Sequence, residues 1–294
     1  MPWWQVVLLG VIQGLTEFLP ISSTAHLLVA QDLMGRSRAE LKDDPFTVVI
    51  QLGTLVAVYW FFRREVVVLV KAFLRDVAEL RWRESATKEG RMARQIIVGT
   101  IPVVIVGVLF ARPLKETFYN PQAIAWVAIA FAILMAAAEW WSRRRKLAGG
   151  AERGEADLTY LDAILIGCFQ ALALMPGASR SGTTITAGLF VGLTRPTAAR
   201  FSFLLSLPSI LAAGLKEIYD WLKAARADPS LQDGLADQAL AMFVGALVSA
   251  VVGYLSIVWL LRFLATNSTL AFVVYRIALG IVILALIAAG FVRP

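Results

Sequence analysis

The chain has 294 residues, of which 59% are hydrophobic, and its mean hydropathy is +0.70. This composition excludes a soluble domain with a solvated surface and indicates a polytopic membrane protein. The net charge of +7 would suit a nucleic-acid partner, but the cations are concentrated between apolar segments, so we expect a membrane surface and no nucleic acid. The only cysteine, Cys168, excludes an intrachain disulfide and a cysteine-cluster metal site.

The first apolar segment is interrupted by polar residues over positions 10–27. Gln13 and Glu17 are four residues apart and therefore share one face of a helix. Pro20 ends that helix, and the next helix contains His26 in its first turn. The hydroxyls expected to cap this next helix are those of Ser22, Ser23 and Thr24.

Two charged stretches follow, separated by a predicted span at residues 46–62. A mixed loop covers residues 32–44, and a basic stretch covers residues 63–94. Within the basic stretch, apolar residues recur at alternating four- and three-residue steps: Val66, Val70, Phe73, Val77 and Leu80. This pattern is typical of a helix lying in the membrane interface, and a solvated cytoplasmic helix is the alternative.

Five more spans are predicted at residues 96–111, 123–141, 198–218, 240–261 and 270–291. A turn over residues 112–122 joins the first two of these. The positive-inside rule places the cations of residues 143–146 in the cytoplasm with the basic stretch, whereas the rather acidic loop at residues 216–237 is a poor cytoplasmic candidate. Glu139 and Arg276 lie near span ends, and we expect both to extend to the interface.

A second broken segment occupies residues 160–193, where Pro176 and Gly177 end a helix. Hydroxyls surround Arg180 in this segment, namely those of Ser179, Ser181, Thr183 and Thr184. A charge at the bilayer centre costs roughly 2.5 to 3.5 kcal/mol, which favours a function for Glu17 and Arg180. A single histidine is more often structural, but the position of His26, three residues after Ser23, favours catalysis.

The two halves of the chain resemble copies of each other. Gly10-x-x-Gln13 recurs as Gly167-x-x-Gln170, and a spaced pair of valine-glycine dipeptides recurs as well: Val98-Gly99 with Val106-Gly107, and Val244-Gly245 with Val252-Gly253. If each broken segment enters and leaves by one face, each half has three crossings and the second half is inverted. The tips of both broken segments then meet near the midplane, where two helix amino termini and Arg180 form an anion site.

The predicted fold is therefore an all-α polytopic membrane protein with six transmembrane helices and two re-entrant helical hairpins in an inverted-topology repeat. Residues 1–294 form a single integral membrane domain, with repeat one at residues 1–150 and repeat two at residues 155–294.

Three stretches carry a family resemblance: Gln13-x-x-x-Glu17, Pro20-Ile-Ser-Ser-Thr-Ala-His26 and Pro176-Gly-Ala-Ser-Arg-Ser-Gly-Thr-Thr184. They resemble the signatures of the undecaprenyl-diphosphatase family, also called bacitracin-resistance proteins, and the resemblance covers essentially the whole chain. Ala25 stands where glycine is common in that family, a change expected only to stiffen the turn before His26.

The resemblance implies removal of the terminal phosphate from undecaprenyl diphosphate, which yields the monophosphate carrier of peptidoglycan synthesis. It also implies a divalent cation, Mg or Ca, and a location in the bacterial cytoplasmic (inner) membrane, with the site open to the periplasmic or extracellular face. The expected partners are the lipid substrate and membrane lipids. A homodimer is the candidate assembly.

The resemblance also implies roles for the residues. Arg180 would hold the diphosphate, and Glu17 would be a base or a metal ligand with Gln13 beside it. His26 would be the general acid or the nucleophile, and Ser23, activated by Glu17 or His26, is the other candidate nucleophile. The hydroxyls expected to complete the phosphate cradle are those of Ser22, Thr24, Ser179, Ser181 and Thr184.

Two other functions fit the same pattern. Inverted repeats with broken helices are typical of secondary transporters, in which Glu17 and His26 would relay protons while polyprenyl phosphate or a small anion crosses the bilayer. A structural scaffold is the third alternative, and it leaves the paired polar segments unexplained.

Overall fold

A computed structural model describes residues 1–36, 45–79, 87–227 and 234–292. These residues form ten α-helices and one 3-10 turn at Glu155–Asp157, without a strand. The helices are α1 (Trp3–Phe18), α2 (Ser23–Leu33), α3 (Pro45–Ala78), α4 (Lys88–Phe118), α5 (Pro121–Leu147), α6 (Tyr160–Leu172), α7 (Arg180–Phe190), α8 (Arg195–Ala227), α9 (Leu235–Thr266) and α10 (Leu270–Ala288). Most of the predicted mixed loop at 32–44 and part of the predicted acidic loop at 216–237 lie outside the described residues.

Six of the described helices are long and apolar enough to cross a membrane, namely α3, α4, α5, α8, α9 and α10. These six confirm the six predicted spans, since about 20 residues are needed to cross the hydrocarbon core. The helices of the two broken segments are shorter, with 16 and 11 residues in α1 and α2 and 13 and 11 residues in α6 and α7. The chain is therefore a multi-span membrane protein.

Helix α3 is longer than the sequence predicts. It continues without a break from the span at residues 46–62 to Ala78, so the periodic positions from Val66 to Val77 belong to the spanning helix. The separate interfacial helix predicted for this stretch is absent from the described residues, and Leu80 lies outside them. The charged residues of the stretch are therefore carried on an extension of a spanning helix.

Helix α4 also extends beyond its predicted end, passing through Pro113 to Phe118. Residues 112–118 are thus helical, and the turn predicted there is confined to Tyr119 and Asn120. The side chain of Asn120 accepts a hydrogen bond from the backbone N–H of Ala123 at 2.7 Å, which caps α5.

The first helix of each half of the chain packs on the fourth helix of the other half. A Cβ atom at Gly10 of α1 would lie 2.8 Å from the carbonyl oxygen of Gly245 in α9, and one at Gly167 of α6 would lie 2.0 Å from that of Gly99 in α4. Small residues permit such close approach of helix backbones in membranes. Four of the glycines that suggest a repeat in the sequence, Gly10, Gly99, Gly167 and Gly245, therefore lie where helices of the two halves pack closely.

An aromatic cluster supports α1 directly beside Glu17. Phe18 packs edge to face on Phe203 of α8, with ring centroids 5.3 Å apart, and Phe62 of α3 lies 6.4 Å from the same ring. These contacts belong to the main hydrophobic core. The carboxyl end of α1 is thus held by two spanning helices.

Glu139 does not extend to the interface as the sequence predicts, because its side chain is 1% exposed. It accepts hydrogen bonds from Arg143 at 3.2 Å and from the hydroxyl of Thr269 at 2.9 Å, and it forms an ion pair with Arg195. These donors come from α5, from the residue before α10 and from the start of α8. A buried carboxylate with this many donors joins three helices.

Arg276 is also buried rather than interfacial, with 0% exposure. Its guanidinium donates to the carbonyl oxygens of Ala128 at 3.3 Å, Gly177 at 3.1 Å and Ala178 at 2.9 Å. Gly177 and Ala178 belong to the turn between α6 and α7. Arg276 therefore fixes the tip of the second broken segment to α5 and α10.

Candidate active site

The tips of the two broken segments have the same unusual turn. Ser22 has φ of 74° and Ser179 has φ of 68°, and they are the only non-glycine residues with positive φ in the part of the chain that the structure describes. The hydroxyl of Ser22 accepts from the N–H of Ala25 at 3.4 Å, and that of Ser179 accepts from the N–H of Gly182 at 3.2 Å. Each serine caps a helix at the expense of backbone strain, which is characteristic of functional sites.

Glu17 is the centre of a polar cluster, here called the tip centre, which consists of Gln13, Glu17, Ser23 and Arg180. The amide of Gln13 and the hydroxyl of Ser23 each donate to Oε2 of Glu17 at 2.9 Å. Nη2 of Arg180 donates to Oε1 of the same carboxylate. The structure thus brings together the carboxylate and the guanidinium that the sequence selects from two distant segments.

The two tips are also joined through Ser181. Its hydroxyl donates to the carbonyl oxygen of Leu19 at 3.1 Å, just after α1, and lies 3.3 Å from the hydroxyl of Ser179. Because Leu19 follows the helix that carries Glu17, this bond fixes the start of α7 against the end of α1. It holds Arg180 next to its carboxylate partner.

The remaining hydroxyls have varied surroundings. Thr184 is fully buried, donates to the carbonyl oxygen of Arg180 at 2.8 Å and is hydrogen-bonded to Ser202 of α8. Thr24 is half-buried in the first turn of α2. The assignment of a phosphate cradle stays a prediction for its five members: Ser22, Thr24, Ser179, Ser181 and Thr184.

His26 faces a residue that sequence reasoning missed. Its Nδ1 lies 2.7 Å from the carbonyl oxygen of Ser22, and its Nε2 lies 2.7 Å from the hydroxyl of Tyr275 in α10. Within the described residues, His26 has no hydrogen bond to any member of the tip centre. A tyrosine beside Arg276 in an otherwise apolar final span is the signal that could have indicated it.

Three glutamine side chains leave buried polar atoms without partners among the described residues. They are Oε1 of Gln13, Oε1 of Gln31 and both polar atoms of Gln170. Burying such atoms unpaired costs about 1 to 3 kcal/mol each, so they mark places where a ligand or water would be stabilised. The unpaired atom of Gln13 belongs to the amide that donates to Glu17.

The donor set at the tip centre fits a divalent cation that completes its coordination with substrate. The described residues contain no group of three or more histidine, cysteine, aspartate or glutamate side chains that could hold a metal ion. However, the amide of Gln13 donates to the carboxylate of Glu17 through its nitrogen and leaves its oxygen unpaired. Mg²⁺ is commonly held by one or two carboxylates together with substrate phosphates.

The tip centre therefore combines three chemical capacities. Glu17 can accept the proton of the Ser23 hydroxyl that it already binds, and Arg180 can bind a phosphate through two parallel N–H donors. Both Ser23 and Arg180 are half-buried, so a ligand can reach them from outside the core. A hydroxyl and a guanidinium thus contact the same carboxylate.

Comparison with known proteins matches this chain to one family over nearly its whole length. The family model described as "Bacitracin resistance protein BacA" matches residues 6–282. A protein of Chlorobium phaeovibrioides named undecaprenyl-diphosphatase is 41% identical over 297 residues, covering 100% of both chains. A protein of Myxococcus xanthus with the same name is 44% identical and covers 99% of this chain and 91% of its own length. The chain therefore belongs to the bacitracin resistance protein BacA family.

Proposed function

We propose that this protein hydrolyses undecaprenyl diphosphate to undecaprenyl phosphate and inorganic phosphate. Full-length relatives that are 41 to 44% identical bear the name of this activity. The observation that carries the proposal is the ion pair between Glu17 and Arg180, which unites a base and a phosphate-binding cation from distant segments. The reaction would return the lipid carrier to peptidoglycan synthesis and thereby confer bacitracin resistance.

The contacts of Glu17 favour Ser23 as the nucleophile, because Ser23 donates to this carboxylate and His26 does not. Arg180 binds the terminal phosphate, and the oxygen of Ser23 attacks its phosphorus while Glu17 takes the hydroxyl proton. The bridging P–O bond breaks, and the lipid monophosphate leaves as its anion. Water then attacks the phosphorus and gives a proton to Nε2 of His26, while the oxygen of Ser23 leaves with the proton held by Glu17 and phosphate is released.

The carboxylate of Glu17 and the amide oxygen Oε1 of Gln13 would hold a divalent cation, Mg²⁺ or Ca²⁺. When bound, such a cation supplies positive charge that neutralises the diphosphate oxygens. Gln13 also has a role without it, since its amide N–H fixes the orientation of Glu17.

We also propose that the broken segments are re-entrant hairpins in an inverted-topology repeat, residues 1–150 and 155–294. One offset of 157 positions relates Trp3 to Tyr160, where α1 and α6 begin, and Ser22 to Ser179, the two strained caps. The same offset relates α2 to α7, which are 11 residues long in both cases. The first helix of each half packs on the fourth helix of the other half, and this reciprocal packing supports the arrangement.

The protein would lie in the bacterial cytoplasmic membrane with its site open to the periplasmic or extracellular face. The cations at the end of α5, which include Arg144, Arg145 and Lys146, mark a cytoplasmic end by the positive-inside rule. The second hairpin would then enter from the cytoplasm and the first from outside. Moving a polyprenyl tail out of the bilayer would cost about 0.8 kcal/mol for each methylene. The lipid substrate therefore stays in the membrane, and the hairpins bring the polar groups of the site to it.

The decisive assay is phosphate release from undecaprenyl diphosphate by the purified full chain in detergent, where no compartments exist. Inverted repeats with broken helices also favour a carrier, but a pure carrier releases no phosphate. We expect release by the wild type and its loss in Arg180→Ala. Arg144→Ala is the matched control, because Arg144 lies over the Trp140 ring away from the tip centre. Undiminished release by Arg180→Ala would remove the proposed phosphate clamp.

A further inference from the structure

The imidazole of His26 is held at both of its nitrogens. Nδ1 lies 2.7 Å from the carbonyl oxygen of Ser22, and Nε2 lies 2.7 Å from the hydroxyl oxygen of Tyr275. The planes of the histidine and tyrosine rings are only 8° apart, with centroids separated by 5.7 Å. Two fixed contacts at opposite ends leave the ring little freedom to rotate.

The chemistry of the partners determines where the imidazole proton lies. A carbonyl oxygen only accepts, so Nδ1 must carry the hydrogen and, in the neutral ring, Nε2 has the lone pair. The hydroxyl of Tyr275 must therefore donate to Nε2. We propose that Tyr275 is a positioning residue for the phosphatase reaction, whose hydroxyl aligns the Nε2 lone pair of His26 until the reacting water takes its place.

The backbone beside Tyr275 is anchored to the opposite hairpin. The next residue, Arg276, is fully buried and donates to Gly177 and Ala178 at the tip that precedes Arg180. Tyr275 thus aligns His26 of the first hairpin from a helix fixed to the second. This connection keeps the imidazole in register with the phosphate-binding guanidinium.

The phenol itself is free to move away when the reacting water arrives. Tyr275 is 45% exposed, whereas its neighbour Arg276 has no exposure. A side-chain rotation at an exposed position requires no repacking of the core. The hydroxyl can therefore release Nε2 without disturbing the anchor behind it.

The kinetic test is Tyr275→Phe, which removes only the hydroxyl. This inference rests on the proposed phosphatase function. We expect kcat to fall about two- to tenfold, as for loss of one neutral hydrogen bond, with KM unchanged. Tyr254→Phe in α9, where the ring packs on Phe61, is the matched control and should retain full kcat. An unchanged kcat in Tyr275→Phe, or an equal loss in the control, would overturn the proposal.

A second test needs no turnover, because His26 is the only histidine in the chain. Protein labelled with ¹⁵N-histidine gives two ring-nitrogen signals without assignment, recorded without substrate near pH 8.5, about two units above the ordinary histidine pKa. We expect a protonated Nδ1 and a bare, hydrogen-bonded Nε2. In Tyr275→Phe the Nε2 signal should move downfield while Nδ1 hardly moves.

The spectra test the positioning role of Tyr275 separately from the proposed phosphatase function. A protonated Nε2 in the wild type, or identical spectra for wild type and Tyr275→Phe, would overturn the positioning role even if phosphate is released. Absence of phosphate release by the wild type would instead count against the proposed function, whatever the spectra show.

Discussion

Two buried carboxylates bind an arginine from the other half of the chain, and their surroundings differ. Glu139 forms the anchor centre with Arg143, Arg195 and Thr269, which together provide its carboxylate with hydrogen bonds from two guanidinium groups, a hydroxyl and a backbone N–H. Glu17 in the tip centre has fewer donors. Glu139 is 1% exposed and Glu17 is 8% exposed.

The surroundings of the tip centre are also less complete. Oε1 of Gln13 is unpaired within the described residues, and the serine caps Ser22 and Ser179 have strained backbones. A buried carboxylate whose partners are all supplied holds helices together, whereas one bordered by unpaired atoms and strain is arranged for a ligand. From this comparison we infer that Glu139 is a structural charge and that Glu17 is a functional one.

Glu17→Gln should produce the largest effect and would test the functional side of this comparison. We expect phosphate release to fall about 10² to 10⁴-fold, because the base for Ser23 is lost. The free energy of unfolding should change by only about 1 kcal/mol, since the carboxylate of Glu17 accepts three hydrogen bonds, fewer than the carboxylate of Glu139. Steady-state kinetics and thermal unfolding in detergent measure the two quantities. Full activity in this variant would remove the catalytic role of Glu17.

Glu139→Gln should show the opposite pattern. We expect the free energy of unfolding to fall by about 3 kcal/mol, because the charge of Glu139 is lost from a carboxylate that is 1% exposed and joins three helices through five hydrogen bonds. Phosphate release per folded molecule should stay close to that of the wild type. Wild-type stability together with loss of phosphate release in this variant would contradict the structural role of Glu139.

Gly167→Ala tests whether close backbone packing holds α6 in place. A Cβ atom there would lie 2.0 Å from the carbonyl oxygen of Gly99, so α6 and α4 must separate, at a cost of about 2 kcal/mol. Gly107→Ala is the matched control, since the nearest atom to its Cβ would be 3.9 Å away. Thermal unfolding of both variants measures the difference. Equal stability would show that this contact does not hold α6 in place.

Asp162→Asn should have the smallest effect, and its effect depends on pH. Burial alone would raise the pKa of Asp162, but hydrogen bonds from Arg153 and Thr159 outweigh burial and lower this pKa below its usual range. A carboxyl group with a lowered pKa stabilises the folded protein at pH values above its ordinary pKa of about 3.9. This stability is lost as the pH falls through the pKa of the folded state.

We therefore expect the free energy of unfolding of the wild type to be about 1 kcal/mol higher than that of Asp162→Asn, and this difference should be constant from about pH 5 to 8. The difference should shrink only below about pH 4. Thermal unfolding across this range measures it, and a difference that grows on acidification would contradict the assigned ion pair.

The tip centre could be predicted from the sequence because its signals are local. A proline and a run of hydroxyls interrupt each apolar segment, and charges at bilayer depth have few structural explanations. Glu17 and Arg180 stand out for these reasons. The six spans are equally local, since each depends only on a run of apolar residues.

The anchor centre and the contact of His26 could not be predicted, because their partners are distant in sequence. Glu139 lies near a span end, and nothing around it indicates that Arg195 and Thr269 converge on it. The partner of His26, Tyr275, comes from the last helix. Helix ends were also misjudged, since Pro113 ends a helix by propensity but is accommodated within α4.

The packing of α1 on α9, a helix of the other half of the chain, has a consequence for biosynthesis. Helix α1 packs mainly on α9, with Gly10 against Gly245, so most of its support comes from the other half of the chain. At a translation rate of about 5 to 20 residues per second, α1 waits many seconds after its own synthesis for α9 to leave the ribosome. During that interval Glu17 also lacks its ion-pair partner Arg180, which is synthesised later.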